Sequence, residues 1–268
     1  MEAIIEAIIL GIVQGLTEFL PVSSSGHLEL GKFLLGDESL PQESLLMTVV
    51  LHFATAMATL VVFRKDIIQI IQGFYKEKGK GENSNFVLLI LISMVPATLV
   101  GLFFEKEIEG FFNQNIILVC SMLLITGFLL LFTYTVKKQD GEIGKFLAFI
   151  IGISQAIAIL PGISRSGATI STALYLGINK EKAARFSFLM VVPLIFGKMS
   201  KDVLDNKITF ESSQSLPLLF GGLAAFITGY FACTWMIQIV KSSKLTYFAY
   251  YCFAIGGIGL ALALLNGN

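Results

Sequence analysis

The chain has 268 residues, of which 55% are apolar and only 14% charged, with nineteen Lys and Arg balancing nineteen Asp and Glu. Its mean hydropathy of +0.79 lies far beyond what a soluble core needs, which excludes an ordinary soluble domain and indicates an integral membrane protein. No P-loop, dinucleotide fingerprint, cysteine cluster or nucleic-acid motif occurs.

The first apolar stretch, residues 1–35, begins "MEAIIEAIILGIV" and runs into "QGLTEFLPVSSSGH" at 14–27. Glu2 and Glu6 stand where a signal peptide carries Lys or Arg, and no cleavage pattern follows, so the stretch is expected to stay in the mature protein. Ala3, Ala7, Gly11 and Gly15 recur every four residues, which predicts a helix pressed closely against a neighbour. Gln14 and Glu18 share one face of that helix, and Leu20 with Pro21 ends it. An ionised carboxylate within a membrane costs ~2.5 to 3.5 kcal/mol on insertion scales, so Glu18 must face protein, water or a cation. Ser23 to Gly26 then open a second helix through "HLELGKFLL". The stretch therefore reads as broken rather than continuous.

Apolar runs at 46–63, 86–104 and 116–136 follow, each near the length that crosses ~30 Å of hydrocarbon as helix. His52, in "VLHFAT", reads as a packing or hydrogen-bonded helix residue. "KEKGKGENSN" at 76–85 predicts a flexible cytoplasmic loop, and "FFEKEIEGFF" a short interfacial turn. Cys120, Cys233 and Cys252 sit singly in apolar segments and read as small packing residues.

The stretch 143–178 is the second broken one. After Pro161, Gly162 permits a tight turn, and Ser164, Arg165, Ser166 and Gly167 lead into "ATISTALYLG". That helix would point its N-terminal amides at the membrane centre, where helix N-termini bind anions and Arg forks onto phosphate or carboxylate. Ser164, Ser166 and Thr169 add hydroxyls. Ser166 is also suited to be the N-cap, and Arg165 has a structural ion pair with Glu18 as its alternative. Runs at 186–197, short and containing Pro193, then 216–240 and 246–265 complete six full spans.

If both broken stretches are re-entrant hairpins, the loops at 64–85, 137–145, 180–185 and 241–244 share one side with thirteen Lys and Arg. Lys32, Lys106, Lys198, Lys201 and Lys207 lie on the other, whereas crossing hairpins would divide the same residues eleven to seven. The positive-inside rule selects the re-entrant arrangement, with the basic side cytoplasmic and both termini outside. A shift of 141 positions aligns "GIVQGLTEFLPVSSSG" with "GISQAIAILPGISRSG", matching Gly11, Ile12, Gln14, Ser23, Ser25 and Gly26 to Gly152, Ile153, Gln155, Ser164, Ser166 and Gly167. The expected fold is an all-α membrane domain of six transmembrane helices and two re-entrant hairpins, 1–35 and 143–178. Its half-repeats, about 1–136 and 143–265, have inverted topology, which places a ligand near the midplane between the two tips.

Two helix N-termini, one guanidinium and up to six hydroxyls suit a multiply charged anion, phosphate best. Glu18 alone would repel it; a divalent cation, Mg²⁺ or Ca²⁺, bridging the carboxylate to phosphate oxygens resolves the conflict. The serine triplet and His27 can supply a nucleophile and a proton shuttle.

"QGLTEFLPVSSSGH" and "LPGISRSGATIS" closely resemble the two signature motifs of the undecaprenyl-diphosphate phosphatase family, the bacitracin-resistance proteins, and the likeness extends through "FSFLMVVP" over the whole chain. The resemblance implies a multi-pass enzyme of the bacterial inner membrane that converts undecaprenyl diphosphate to undecaprenyl phosphate and inorganic phosphate; the charge count opens its site to the periplasmic face. It implies that Glu18 is the essential acid and metal ligand, that Ser24 and His27 are the catalytic serine and histidine, and that Ser164, Arg165, Ser166 and Thr169 form the diphosphate loop, with Gly162 and Gly167 in its turn. Ser23, Ser25, Gln14 and Gln155 complete the substrate-binding set. Gln14 departs from the Glu of many relatives, leaving Glu18 to carry the acidic role alone, and Ser25 replaces a common Thr. The nucleophile stays open between Ser24, His27 and water. Expected partners are the membrane, a polyprenyl diphosphate lipid and a second copy in a homodimer, with no nucleic acid. The rival reading is a transporter or flippase of a phosphorylated polyprenyl lipid, because inverted repeats with broken helices are common among carriers. A purely structural subunit would leave Glu18, His27 and Arg165 without a purpose.

Overall fold

The computed structural model describes residues 2–35, 41–77, 80–111, 115–136, 140–205, 215–242 and 244–265. In chain order the helices are α1 (Glu2–Phe19), α2 (Ser24–Leu35), α3 (Pro41–Val62), α4 (Arg64–Lys76), α5 (Glu82–Phe103), α6 (Glu105–Phe111), α7 (Ile116–Leu131), α8 (Lys145–Ile157), α9 (Arg165–Tyr175), α10 (Lys180–Leu204), α11 (Ser215–Lys241) and α12 (Thr246–Leu265). No strand occurs among the described residues, where Gly141 and Ile178 form an isolated bridge.

Among the described residues six helices are long and apolar enough to cross a membrane, within 44–62, 82–103, 116–135, 180–204, 215–241 and 246–265. The short run at 186–197 belongs to α10, which continues through Pro193 for 25 residues. A proline forfeits one backbone hydrogen bond and crowds the preceding turn, and the buried Phe186, Phe188, Leu189 and Met190 anchor the helix just before it. Two sequence expectations need correction. Residues 64–76 are helical rather than loop, because Ile67 and Ile70 turn one face of α4 into the core. Residues 105–111 form a short helix rather than a turn. The α4–α5 connection is tied by Glu77, which accepts from Asn83 Nδ2 at 2.7 Å and from the Ser84 backbone N–H at 3.1 Å. Those hydrogen bonds, Asn83 foremost, hold the Glu77 carboxyl below the usual carboxylate range.

The small residues of α1 do what their spacing predicts. A Cβ on Gly11 would lie 2.3 Å from the Gly221 carbonyl oxygen of α11, so the two backbones meet where no side chain fits. Gly152 of α8 meets α5 in the same way, its Cβ position lying 2.3 Å from the Ser93 carbonyl oxygen. Between these pairs, α3 packs on α10 and α7 on α12. Phe19 and Phe188 meet edge to face at 5.9 Å in the core.

Each broken stretch doubles back. Leu28 of α2 returns to Leu10 of α1 in one buried cluster with Leu51, and a Cβ on Gly31 would rest 3.3 Å from Leu10. In the second, Gly141 N–H donates to Gly177 O at 2.9 Å and Asn179 N–H to Gly141 O at 3.0 Å, so the chain enters α8 and leaves α9 at one point. The loops sort into two groups by their ion pairs. Asp66 pairs with Arg185 at 2.7 Å, Glu142 with Lys182, and Glu181 with Lys241 at 3.3 Å. At the other group, Glu105 pairs with Lys198 at 3.4 Å and with Lys201. These partly exposed pairs contribute little stability, ~0 to 1 kcal/mol each. Lys78, Lys137, Lys138 and Lys207 of the charge count lie outside the described residues.

Candidate active site

The two hairpin tips are built alike and touch. Ser23 caps α2, its Oγ accepting from Gly26 N–H at 3.2 Å, and Ser164 caps α9, its Oγ accepting from Gly167 N–H at 3.0 Å. In each tip the capping hydroxyl also lies 3.3 Å from that of the serine two positions on, Ser25 and Ser166. The cap of α9 is thus Ser164 and not Ser166, because extended backbone at Ser164 aims its Oγ at the free amide of Gly167 while Arg165 already opens the helix. Ser23 has φ 69°, the only positive value outside glycine among the described residues. Such strain costs ~1 to 3 kcal/mol and collects at functional sites.

The tips cross at their glycines. A Cβ on Gly26 would lie 3.2 Å from Gly162 Cα, and one on Gly167 would lie 3.4 Å from Pro21 Cβ. Gly162 itself has φ +96°, and a Cβ there would fall 2.2 Å from the Val119 carbonyl oxygen. Thr126 of α7 fixes this turn, donating to Gly162 O and accepting from Ser164 N–H, both at 3.0 Å.

Glu18, 7% exposed, stands at the junction. Its Oε1 accepts from Arg165 Nη2 at 2.5 Å, joining the tips. Its Oε2 accepts from Ser24 Oγ at 2.7 Å and from Gln14 Nε2 at 3.0 Å, while His52 Nε2 lies 3.7 Å away. Arg165, its side chain 14% exposed, also points Nη1 at the Ser187 carbonyl at 3.4 Å. Thr169 hydrogen-bonds through Oγ1 to Ser187 Oγ at 2.6 Å. The structural alternative for Arg165 is therefore present in the same geometry that suits it to an anion.

The hydrogen bonds of His27 go to groups other than Ser24. Its Nδ1 meets the Ser23 carbonyl at 2.8 Å, so that nitrogen carries the hydrogen, and Nε2 meets Tyr251 OH at 2.9 Å with the rings stacked at 5.6 Å. The carboxylate of Glu18, rather than the imidazole of His27, holds the Ser24 hydroxyl.

His52 was read from the sequence as a packing or hydrogen-bonded helix residue, and Ser187, Tyr251 and Thr126 were not singled out. A histidine in an apolar span is a costly residue that carries a functional signal by itself. The other three carry none, since hydroxyls in membrane helices ordinarily bond their own backbone.

Two buried amides have unpartnered atoms among the described residues, Oε1 of Gln14 and both Nε2 and Oε1 of Gln155, which is 1% exposed. Unpaired buried polar atoms cost ~1 to 3 kcal/mol each and call for a ligand, water or ion. Among the described residues no three His, Cys, Asp or Glu side chains converge as a metal site. The Glu18 carboxylate with the unpartnered Gln14 Oε1 nonetheless fits a hard divalent ion, which commonly takes one carboxylate and fills its remaining positions with water and phosphate.

Comparison with known proteins gives one answer throughout. A family model described as "Bacitracin resistance protein BacA" matches residues 7–258. A protein of Christiangramia forsetii named undecaprenyl-diphosphatase is 60% identical over 253 residues, 94% of this chain and 96% of its own. Proteins of the same name from Bacteroides fragilis and Parabacteroides distasonis are 47% and 48% identical over 265 residues, 97% of this chain and 98% of theirs.

Proposed function

The chain belongs to the bacitracin resistance protein BacA family, and from that premise we propose that it is an undecaprenyl-diphosphate phosphatase. It hydrolyses undecaprenyl diphosphate to undecaprenyl phosphate and inorganic phosphate, which returns the lipid carrier to peptidoglycan synthesis and confers bacitracin resistance. The observation that carries this reading is the Ser24–Glu18–Arg165 arrangement, a hydroxyl on a carboxylate beside a guanidinium, at the meeting of two capped helix N-termini.

Arg165 and the first amides of α9 bind the diphosphate, with Ser164, Ser166 and Thr169 as hydroxyl donors and Gly162 and Gly167 giving the backbone close approach. Ser23, Ser25 and Gln14 serve the first tip, and the unpartnered amide of Gln155 is held for substrate. Ser24 Oγ attacks the terminal phosphorus as its proton passes to Glu18; the Oγ–P bond forms while the bridging P–O bond breaks and undecaprenyl phosphate leaves. Water then attacks the phosphoserine and gives its proton to His27; the new O–P bond forms as the Oγ–P bond breaks, Glu18 returns the first proton to Oγ and inorganic phosphate leaves. The leaving group is already a phosphate, so neutralising charge contributes more than protonating it. A divalent ion, Mg²⁺ or Ca²⁺, held by Glu18 and Gln14 Oε1 would add to that neutralisation. The lipid tail lies in a groove of about 760 Å³ between α1, α11 and α12, lined by Leu16, Leu20, Val22, Trp235 and Phe248 and bounded by Tyr251.

Purified protein in detergent is expected to release phosphate from undecaprenyl diphosphate, and Ser24→Ala is expected to lose at least about 10³-fold in kcat, as loss of a nucleophile does. Retention of most activity by Ser24→Ala would move the attack to water, and a wild type that releases nothing with any divalent ion would remove the phosphatase reading.

The two hairpins are proposed to be re-entrant and to head inverted half-repeats, about 1–136 and 143–265. Supporting this, α1 packs on α11 as α8 packs on α5, and α3 on α11 as α10 on α5. The close approach of Gly11 to Gly221 recurs at Gly152 and Ser93, and α2 and α9 both begin beside a capping serine 141 residues apart. The site is proposed to open to the periplasmic face of the inner membrane. The three cysteines are fully buried, so engineered ones can be labelled against a silent background. In right-side-out vesicles an impermeant maleimide is expected to modify Ile5→Cys, Leu34→Cys and Lys106→Cys, and to reach Glu142→Cys only after permeabilisation. Modification of Leu34→Cys from the opposite side to Ile5→Cys would mean that the first hairpin crosses.

One observation favours a second reading, carriage of the lipid phosphate between leaflets. The groove runs from Tyr251, beside His27 at the first tip, to Ser242 and Lys244 in the basic set of loops.

A further inference from the structure

We propose that His52 is a positioning residue that keeps Glu18 in place when Arg165 leaves that carboxylate for the diphosphate; the proposal rests on the phosphatase reading above.

In the structure Arg165 and Glu18 satisfy each other's charge. Arg165 Nη2 is on Glu18 Oε1 at 2.5 Å, and no other carboxylate shares that guanidinium among the described ion pairs. A diphosphate carries more charge than one carboxylate and offers the planar oxygen pair that a guanidinium grips with both arms. Substrate therefore draws Arg165 off Glu18. At that moment a buried carboxylate loses the guanidinium and gains an anionic neighbour. Either effect would drive it out of position, away from the proton that it must take.

The remaining partners decide whether it stays. The Ser24 hydroxyl at 2.7 Å cannot anchor it, because its proton is the one to be transferred. Gln14 Nε2 at 3.0 Å sits on α1, four residues away on the same helix, and moves with it. His52 is different in kind. It belongs to α3, outside both tips, and its ring is oriented by Nδ1 against the Thr48 carbonyl at 2.8 Å. A carbonyl only accepts, so Nδ1 carries hydrogen and Nε2 is the atom presented to Glu18 Oε2 at 3.7 Å. That separation is beyond a hydrogen bond but within a small carboxylate rotation of one. While Arg165 holds Oε1 the rotation is prevented; once Oε1 is released, Oε2 can swing onto Nε2 of the imidazolium, the form of the ring that carries a second hydrogen on that nitrogen. The role asks for an N–H donor at that reach. A side-chain amide of similar length supplies one without any change of protonation, which makes the proposal testable.

The experiment compares phosphate release from undecaprenyl diphosphate by purified wild type, His52→Gln, His52→Met and His52→Asn in the same detergent, each checked for its melting transition. His52→Gln is expected within about threefold of wild type, while His52→Met loses about 10- to 100-fold in kcat, the usual range for a residue that orients a reacting group. KM should change by less than about threefold, since substrate is held by Arg165 and the tips. His52→Asn, polar but one methylene too short, should resemble Met. A packing role predicts the reverse order, with Met tolerated best. Wild-type rates in His52→Met, equal loss in Gln and Met, or a loss confined to KM would each overturn the proposal. If Met does not fold, the contrast between Gln and Asn decides it alone. A wild type that releases no phosphate refutes the phosphatase reading instead, which separates the two failures.

Discussion

Arg165→Ala is expected to reduce phosphate release by about 10³-fold or more, the range that a transition-state guanidinium contributes in phosphoryl transfer. Among the described ion pairs no other Lys or Arg reaches Glu18: Lys32 is hydrogen-bonded to Thr48 and paired with Glu29. The same substitution should also weaken the fold. Glu18 would keep its burial and lose its ion-pair partner, and breaking a buried pair from one side costs ~3 to 5 kcal/mol. The double variant Glu18→Gln/Arg165→Ala should therefore melt higher than Arg165→Ala alone while remaining inactive. Arg165→Lys keeps the charge but not the two-armed grip, and should fall between wild type and Ala in rate. Thermal unfolding in detergent beside phosphate release checks all three. A single variant as stable as the double would mean that the Glu18–Arg165 pair contributes nothing to the fold.

Gly162→Ala is expected to be nearly as damaging for a different reason. A side chain is disfavoured at φ +96°, and its Cβ would overlap the Val119 carbonyl, 2.2 Å away, so the turn must move. Moving it breaks both hydrogen bonds to Thr126 and shifts the α9 N-terminus that bears Arg165. A displacement of ~1 Å at a catalytic group costs roughly 10²-fold in rate, and that loss in kcat is expected together with a lower melting temperature. Gly26→Ala provides the contrast. Its Cβ would meet Gly162, Ser23 and Val119 at 3.2 to 3.3 Å with no φ constraint, so a smaller loss should follow. Comparable rates for wild type and Gly162→Ala would show that the turn tolerates displacement.

The sequence by itself determined the helical membrane class, the six apolar helices, the two broken stretches and most of the polar residues that meet around Glu18. Each rests on a local cost that burial in lipid makes large. A span needs about twenty apolar residues, a proline ends or bends a helix, and a carboxylate or guanidinium inside a membrane segment demands a partner. Close packing was legible for the same reason, because Gly11 and Gly15 leave no room for another explanation of their spacing. Helix α4 escaped such reasoning, since its charged ends resemble a loop until Ile67 and Ile70 are seen against the core. Tertiary structure alone decided which groups meet. It placed Arg165 on Glu18 across 147 positions, gave the Ser24 hydroxyl to Glu18 instead of His27, turned His27 to Tyr251 and brought His52 beside the carboxylate. Long-range pairing of this kind depends on helix rotation and depth set by the packing of α1 on α11 and α8 on α5. A linear spacing carries the face of one helix, but not the neighbour that the face will meet.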